Sequence, residues 1–269
     1  MDICVFLEHL MEAMPSPDTI KNKLSVVRRY IQLSSGDMEG INSIWVKNAI
    51  DAICRVKYFS KKVKNPISVK NLRKIILSQP DTFIGNSIRA ILLIMYYGAF
   101  RQSEVVPVTI SSFDKDKNIC KKDVSFKNGN IIVDIRWAKN CQKFDQKREV
   151  CIPPLSDKRL CPVKNLKAVL RASQNKKPDD PLFVFKDKAP ISVNYLRTQW
   201  KKSLKALNMS EEYTLHSIRR SAATYAYKEG CTPLQVQRYG GWSSQAHLSY
   251  IKTDAQEHVT KALGRAMLK

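Results

Sequence analysis

The run Ala90-Ile91-Leu92-Leu93-Ile94-Met95-Tyr96-Tyr97 has no charge and no polar face. A helix that is apolar all round must be enclosed on every side, and this one falls far short of the ~20 residues needed to span a bilayer. It is therefore expected to be a buried core helix, and no membrane partner is expected. The helix should run up to Gly98, where Gly98-Ala99-Phe100 suits a C-terminal cap. Arg101 then emerges just after a buried element.

The rest of the chain arranges itself around that helix. Residues 1–58 read as a helical domain: Ile20, Leu24, Val27 and Ile31 share one helical face while Lys21, Lys23, Arg28 and Arg29 point elsewhere, and a second helix spans Ile44 to Val56. The basic stretch 59–67, ending near Pro66, breaks the periodicity and reads as a linker. Residues 68–269 form the larger domain. Helical spacing resumes there with Val69, Leu72, Ile75 and Ile76. Residues 124–152 differ in kind: Ile131 to Trp137 and Glu149 to Ile152 are β-rich, and Asn128-Gly129 marks a tight turn, so a small antiparallel sheet is expected. Helices return at Val163–Ala172, Val193–Leu207 and Leu215–Glu229. Thr232-Pro233 reads as a helix start, Gly240-Gly241 as a turn, and Ser243 or Ser244 as the cap of a helix carrying Tyr250. A final amphipathic helix, 254–268, presents Val259, Ala262, Leu263, Ala266 and Met267 on one side. The expected fold class is mainly α with a small antiparallel β-sheet.

The 269 residues carry 46 Lys and Arg against 24 Asp and Glu, a formal charge of +22. That excess points to a polyanionic partner. Residues 1–66 hold 10 basic and 7 acidic side chains, so most of it lies further along the chain. The seven cysteines are widely spread, with no C-x-x-C pair and no His at zinc spacing, which suits free thiols in a reducing compartment. Cys141 reads as a strand-edge thiol rather than a nucleophile. The start Met1-Asp2-Ile3-Cys4 lacks the basic region of a secretory signal, and secretion is not expected.

Several residues fit the chemistry of a phosphodiester. Its transition state gains charge on the nonbridging oxygens, and arginine forks stabilise such charge well. Arg101 and Arg219 are the candidate clamps, with Glu104 orienting the first. His216 and Arg219, three apart, project from one face near a helix N-terminus, where the dipole also favours an anion. The indole N–H of Trp242 can donate to a phosphate oxygen, and the hydroxyl of Tyr250 can attack phosphorus. No metal or other cofactor is required by this chemistry. Each residue also has a plainer reading: a solvated arginine, a His/Arg pair on a basic helix, a core tryptophan, a packed tyrosine.

The order of Gly98-Ala99-Phe100-Arg101-Gln102-Ser103-Glu104, Lys139, His216-Ser217-Ile218-Arg219, Trp242 and Tyr250 resembles the tyrosine recombinase (phage integrase) family from about residue 67 onward. Trp242 stands where many members have a histidine. Tyr250 follows it by eight residues rather than the more frequent nine. With Arg136-Trp137-Ala138-Lys139 and Leu160-Cys161-Pro162-Val163, this spacing looks more like eukaryotic mobile-element recombinases of the DIRS and Crypton kinds. The resemblance implies a helical core-binding domain and a catalytic domain closing as a C-shaped clamp on duplex DNA. It implies a hairpin lysine, Lys139, that protonates the departing 5′ oxygen, with Lys143 and Lys147 in the same loop. It also implies a 3′-phosphotyrosyl intermediate and a homo-tetramer in which the 254–268 helix docks on a neighbour. Lys21, Lys23, Arg28, Arg29, Lys61, Lys62 and Lys64 are the expected DNA contacts. The expected location is the nucleus if the source is eukaryotic and the cytoplasm otherwise. The rival expectations are a type IB topoisomerase and a domesticated, non-catalytic DNA-binding protein.

The charge leads to one direct expectation. Duplex affinity should fall steeply with salt, with a slope of log K against log[salt] of about −5 or steeper if six or more phosphates are neutralised. A filter-binding titration from low to high salt checks it, and a flat response would remove DNA as the polyanion.

Overall fold

The computed structural model describes residues 3–13, 16–34, 38–56, 66–136, 148–173, 177–242 and 248. The chain divides into two compact units, Met1–Val63 and Lys64–Lys269. Together they are mainly helical with one three-stranded antiparallel sheet.

The first unit contains α1 (Ile3–Ala13), α2 (Pro17–Ser34), α3 (Glu39–Asn42) and α4 (Ile44–Val56). Leu7 and Leu10 of α1, Ile20 and Leu24 of α2, and Val46, Ile50 and Ile53 of α4 make its core. On α2 the apolar face is buried at Ile20 and Leu24 and only half-buried at Val27 and Ile31. Lys21, Lys23 and Arg29 are exposed, whereas Arg28 is half-buried and donates to the Ile41 carbonyl at 3.4 Å. Lys61, Lys62 and Lys64 lie outside the described residues.

The second unit is built on α6 (Phe83–Tyr97), whose residues 87–95 are all buried. The neighbouring α5 (Val69–Leu77), α8 (Pro162–Ala172) and α10 (Leu215–Lys228) pack against it. Ser68 caps α5 and Thr82 caps α6, each accepting a backbone N–H three residues on. One charge is enclosed on this apolar helix, and it is fully engaged. Arg89 donates to the Gln79 carbonyl at 2.7 Å, Asp81 at 3.0 Å and Asn86 at 3.0 Å.

The sheet runs β1 (Val124–Lys127), β2 (Asn130–Ile135) and β3 (Arg148–Ile152), in that order. Asn128 and Gly129 both have positive φ, 49° and 82°, as a two-residue hairpin turn matched to strand twist requires. Ile131, Val133, Ile135, Val150 and Ile152 put one face into the main core. The β2–β3 register closes with Ile135 opposite Arg148. Residues 137–147, which hold Trp137, Lys139, Cys141, Lys143 and Lys147, lie outside the described residues, as do Ser243, Ser244, Tyr250 and the 254–268 segment.

Among the described residues the unit also contains the single-turn α7 (Gln102–Val105), α9 (Val193–Ala206) and α11 (Pro233–Gly240), the last capped by Thr232. The five described cysteines outside α1, namely Cys54, Cys120, Cys151, Cys161 and Cys231, are free thiols. No helix among the described residues is long and apolar enough to cross a membrane.

Enclosure of α6 makes it the element least able to lose volume. Ile94→Ala should cost about 2–5 kcal/mol, the range for truncating a fully packed aliphatic side chain. Urea unfolding measures it, and a loss well under that range would mean that the helix can relax into the gap.

Candidate phosphate-binding site

Two helix ends of the same shape form the floor of the site. After α6, Ala99 is left-handed (φ 47°); its N–H donates to the Tyr96 carbonyl at 3.2 Å, and the Phe100 N–H reaches Met95 at 3.0 Å. After α11, Gly241 is left-handed (φ 66°); its N–H donates to Arg238 at 3.1 Å, and the Trp242 N–H reaches Gln237 at 3.1 Å. Both are Schellman closures, which satisfy the last carbonyls of a helix and put an apolar side chain just past the left-handed residue. In each turn that side chain is aromatic and folds back over the glycine before the left-handed position. A Cβ on Gly98 would lie 2.2 Å from the Phe100 ring, and one on Gly240 would lie 1.6 Å from the Trp242 ring. The expectation of a cap at Gly98-Ala99-Phe100 holds with a difference of detail: Ala99 takes the left-handed conformation, and Gly98 is needed for space. A left-handed alanine costs roughly 1–2 kcal/mol, which the surrounding packing has to offset.

Arg219 joins the two turns. It lies in the second turn of α10, 1% exposed, and donates Nη1 to the Ala99 carbonyl and Nη2 to the Gly240 carbonyl, the latter at 2.9 Å. Its Cζ lies 4.1 Å from the centre of the Trp242 ring, a cation–π contact. Trp242 itself is 7% exposed and packs with Ala99, Ala223 and Val236. The core reading of this tryptophan and the phosphate reading of its N–H thus concern one and the same position.

Glu104, in α7 and 4% exposed, faces both arginines. Its Oε2 accepts the Arg101 backbone N–H at 2.7 Å, its Oε1 accepts Arg101 Nη1 at 2.7 Å, and Arg219 Nη1 lies 3.7 Å from Oε2. The Arg101 side chain keeps 20% of its surface open. It is thus the more accessible of the two guanidinium groups. His216 is half-buried in the first turn of α10, three residues before Arg219. The structure therefore brings Arg101 and Glu104, Arg219, and Trp242 together from three separate segments, with His216 on the same helix as Arg219. Lys139 and Tyr250 fall outside the described residues.

Two arginines to which sequence reasoning gave no role also take defined places. Arg136 forks onto Asp123 through Nε and Nη2, both at 2.7 Å, and adds the Lys115 carbonyl at 2.5 Å. It fixes the end of β2 to the loop before β1. Arg148, first in β3, donates Nη2 to the Gly98 carbonyl at 2.8 Å and lies over the Phe100 ring at 5.2 Å. Its place at the start of a β-rich run after a lysine-rich stretch of sequence was the one signal, but a partner 50 residues away cannot be read from that.

Two nearby phenols, Tyr96 and Tyr239, are disfavoured as phenolates. Burial pushes the Tyr239 hydroxyl above its usual value, with Arg148 acting in the opposite direction, and the hydroxyl donates to the Tyr97 carbonyl. Burial first, then Tyr97, pushes Tyr96 up to about 12.

The model of the phage integrase family matches residues 67–257, most of the chain, and this protein belongs to that family. Its structure is similar to the Tn1549 transposon integrase (residues 82–397) in complex with circular intermediate DNA, at 15% identity and a TM-score of 0.64, covering 96% of this chain and 82% of that one. It is also similar to the XerH site-specific recombinase in a post-cleavage complex with difH substrate, at 18% identity and a TM-score of 0.66, covering 97% and 72%. A lambda integrase (residues 75–356) dimer bound to a core site matches at 13% identity and a TM-score of 0.60, covering 94% and 80%. At such identities the likeness speaks for the fold. Comparison with curated proteins gave no match.

The shared carboxylate gives a testable expectation. Glu104→Ala should destabilise the protein by about 3–5 kcal/mol, because removing one side of a buried charge cluster leaves the other uncompensated. Denaturant unfolding checks it. A loss below about 1 kcal/mol would show that the two guanidinium groups are satisfied without it.

Proposed function

We propose that the protein is a site-specific DNA recombinase that cuts and rejoins duplex DNA through a 3′-phosphotyrosyl intermediate. The observation that carries this reading is the convergence of Arg101 and Arg219 on one carboxylate, with Trp242 stacked on the second arginine. Segments more than a hundred residues apart are folded together to concentrate positive charge and N–H donors in one place. That arrangement suits an anion gaining charge in its transition state.

In the proposed reaction the Tyr250 oxygen forms a bond to phosphorus as the bond from phosphorus to the 5′ oxygen breaks. The phenolic proton leaves towards a base, for which His216 is the candidate, and Lys139 supplies a proton to the departing 5′ oxygen. A 5′-hydroxyl from a second duplex then attacks the phosphotyrosine and restores the tyrosine. One ester replaces another at each step, so no external energy source enters the balance. Lys21, Lys23, Arg28, Arg29, Lys61, Lys62 and Lys64 are the proposed backbone contacts. The similar integrase and recombinase structures are themselves DNA complexes, which supports duplex DNA as the partner.

Exchange between two duplexes needs assembly, and we assign a tetramer on DNA, with the 254–268 helix docking on a neighbouring subunit. An apolar cavity of about 670 Å³, lined by Tyr96, Tyr97, Ala222, Ala226, Val236 and Trp242 among others, offers a seat of the right character. The eight-residue spacing from Trp242 to Tyr250 supports a mobile-element origin of the DIRS or Crypton kind and, with it, a nuclear site of action.

The decisive experiment traps the intermediate on a nicked duplex carrying the recombination site and maps the adduct. Tyr250→Phe should abolish the adduct and leave binding nearly intact, while Arg101→Ala should slow its formation about 100-fold or more. Adduct persisting in Tyr250→Phe would give the role to another tyrosine. Relaxation of supercoiled DNA by a monomer, without strand exchange, would favour the topoisomerase reading instead.

A further inference from the structure

Arg219 is not the only guanidinium that touches both turns. Arg148 donates to the carbonyl of Gly98, lies over the ring of Phe100, and runs against Gly241: a Cβ there would be 3.1 Å from both its Cδ and its Nη1. Gly98 and Phe100 flank the left-handed residue of the first turn, and Gly241 is the left-handed residue of the second. The first turn leads directly into Arg101 and the second into Trp242. Arg219 thus binds the carbonyls of Ala99 and Gly240, while Arg148 engages their immediate neighbours from a different element. That element is the sheet. Arg148 is paired with Ile135 in the last rung of the β2–β3 ladder, so its backbone is held by a rigid support.

We propose that Arg148 is a positioning residue for DNA strand cleavage, holding the turn before Arg101 and the turn before Trp242 at a fixed spacing against the sheet. The inference rests on the reading of this site as the phosphate pocket. Arginine suits the task because one planar group can donate to a carbonyl in its plane while its face covers an aromatic ring. A lysine would supply charge without that double contact. Cleavage geometry tolerates little slack: a displacement of about 1 Å can cost about 100-fold in rate even when the mutated residue never touches the reacting atoms.

The test uses the full chain with Arg148→Met, which keeps a long stem beside Gly241 and removes the donor. Adduct formation on the nicked duplex should fall about 100-fold, with duplex affinity changed less than about threefold. Adding Arg148→Met to Arg101→Ala should cost clearly less than the product of the two single losses, since only the Trp242 turn is then left to position. Arg148→Lys should also be slowed, by about tenfold or more, and serves for the same comparison if Arg148→Met does not fold. Cleavage at the parent rate overturns the proposal. So does a double variant in which the two losses multiply, because Arg148 would then act on the phosphate independently. Should the parent itself form no adduct, the proposed function fails, and hydrogen exchange still judges the clamp. The Phe100 and Trp242 amides, which close the two turns, should exchange about tenfold faster in Arg148→Met. Unchanged exchange removes the clamp whatever the activity.

Discussion

A guanidinium group with 1% of its surface exposed is expensive to hold inside a protein, and Arg219 is held there by the carbonyls of two helix ends, a nearby carboxylate and the face of an indole. The shape of the surrounding backbone follows from that requirement. A helix normally hides its last carbonyls in its own closure. Here the chain turns left-handed at Ala99 and at Gly241, which leaves the carbonyls of Ala99 and Gly240 available to the same cation. The aromatic residue after each turn then covers the glycine before it. If the arginine were removed, two carbonyls and a carboxylate would lose a shared partner at once.

The remainder of the larger unit works as a mounting for this arrangement. The enclosed α6 fixes where its own C-terminus lies, because a helix buried on every side cannot shift without opening a void. The sheet contributes through arginines at the ends of neighbouring strands: Arg136 ties the end of β2 to Asp123, and Arg148 reaches the turn after α6. Placing Arg148 on a strand rather than on a loop holds it with the accuracy that phosphoryl chemistry needs. Arg101, by contrast, is left partly open at the start of α7, with Glu104 holding its side chain by one oxygen and its backbone by the other.

Similar structures at 13–18% identity show that widely different sequences reach this fold. Cores tolerate wide substitution as long as volume and pattern survive. A site built from charged groups is less forgiving, since each donor needs its acceptor. Function accordingly resides in the arginines, the carboxylate and the tryptophan, and the fold supplies their setting.

The sequence by itself determined the local pattern. Periodicity marked α4 and α10 to within a residue of their observed limits, the charge-free run marked α6 as central, and Asn128-Gly129 marked the hairpin turn. These features depend on residues within a few positions of one another, where spacing and turn chemistry are readable. Family resemblance singled out Arg101, Glu104, His216, Arg219 and Trp242, as well as Lys139 and Tyr250, which are known here from the sequence alone. Tertiary structure decided what those side chains meet. Nothing near Arg219 in the chain announces the carbonyl of Ala99, 120 residues away, and nothing near Arg148 announces Gly98. Nor could the sequence show that Ala99, rather than Gly98, would be the left-handed residue, because that choice is made by the Phe100 ring closing over Gly98. Hydrogen-bond partners across such separations exist only once packing has brought the segments together, so no local pattern encodes them.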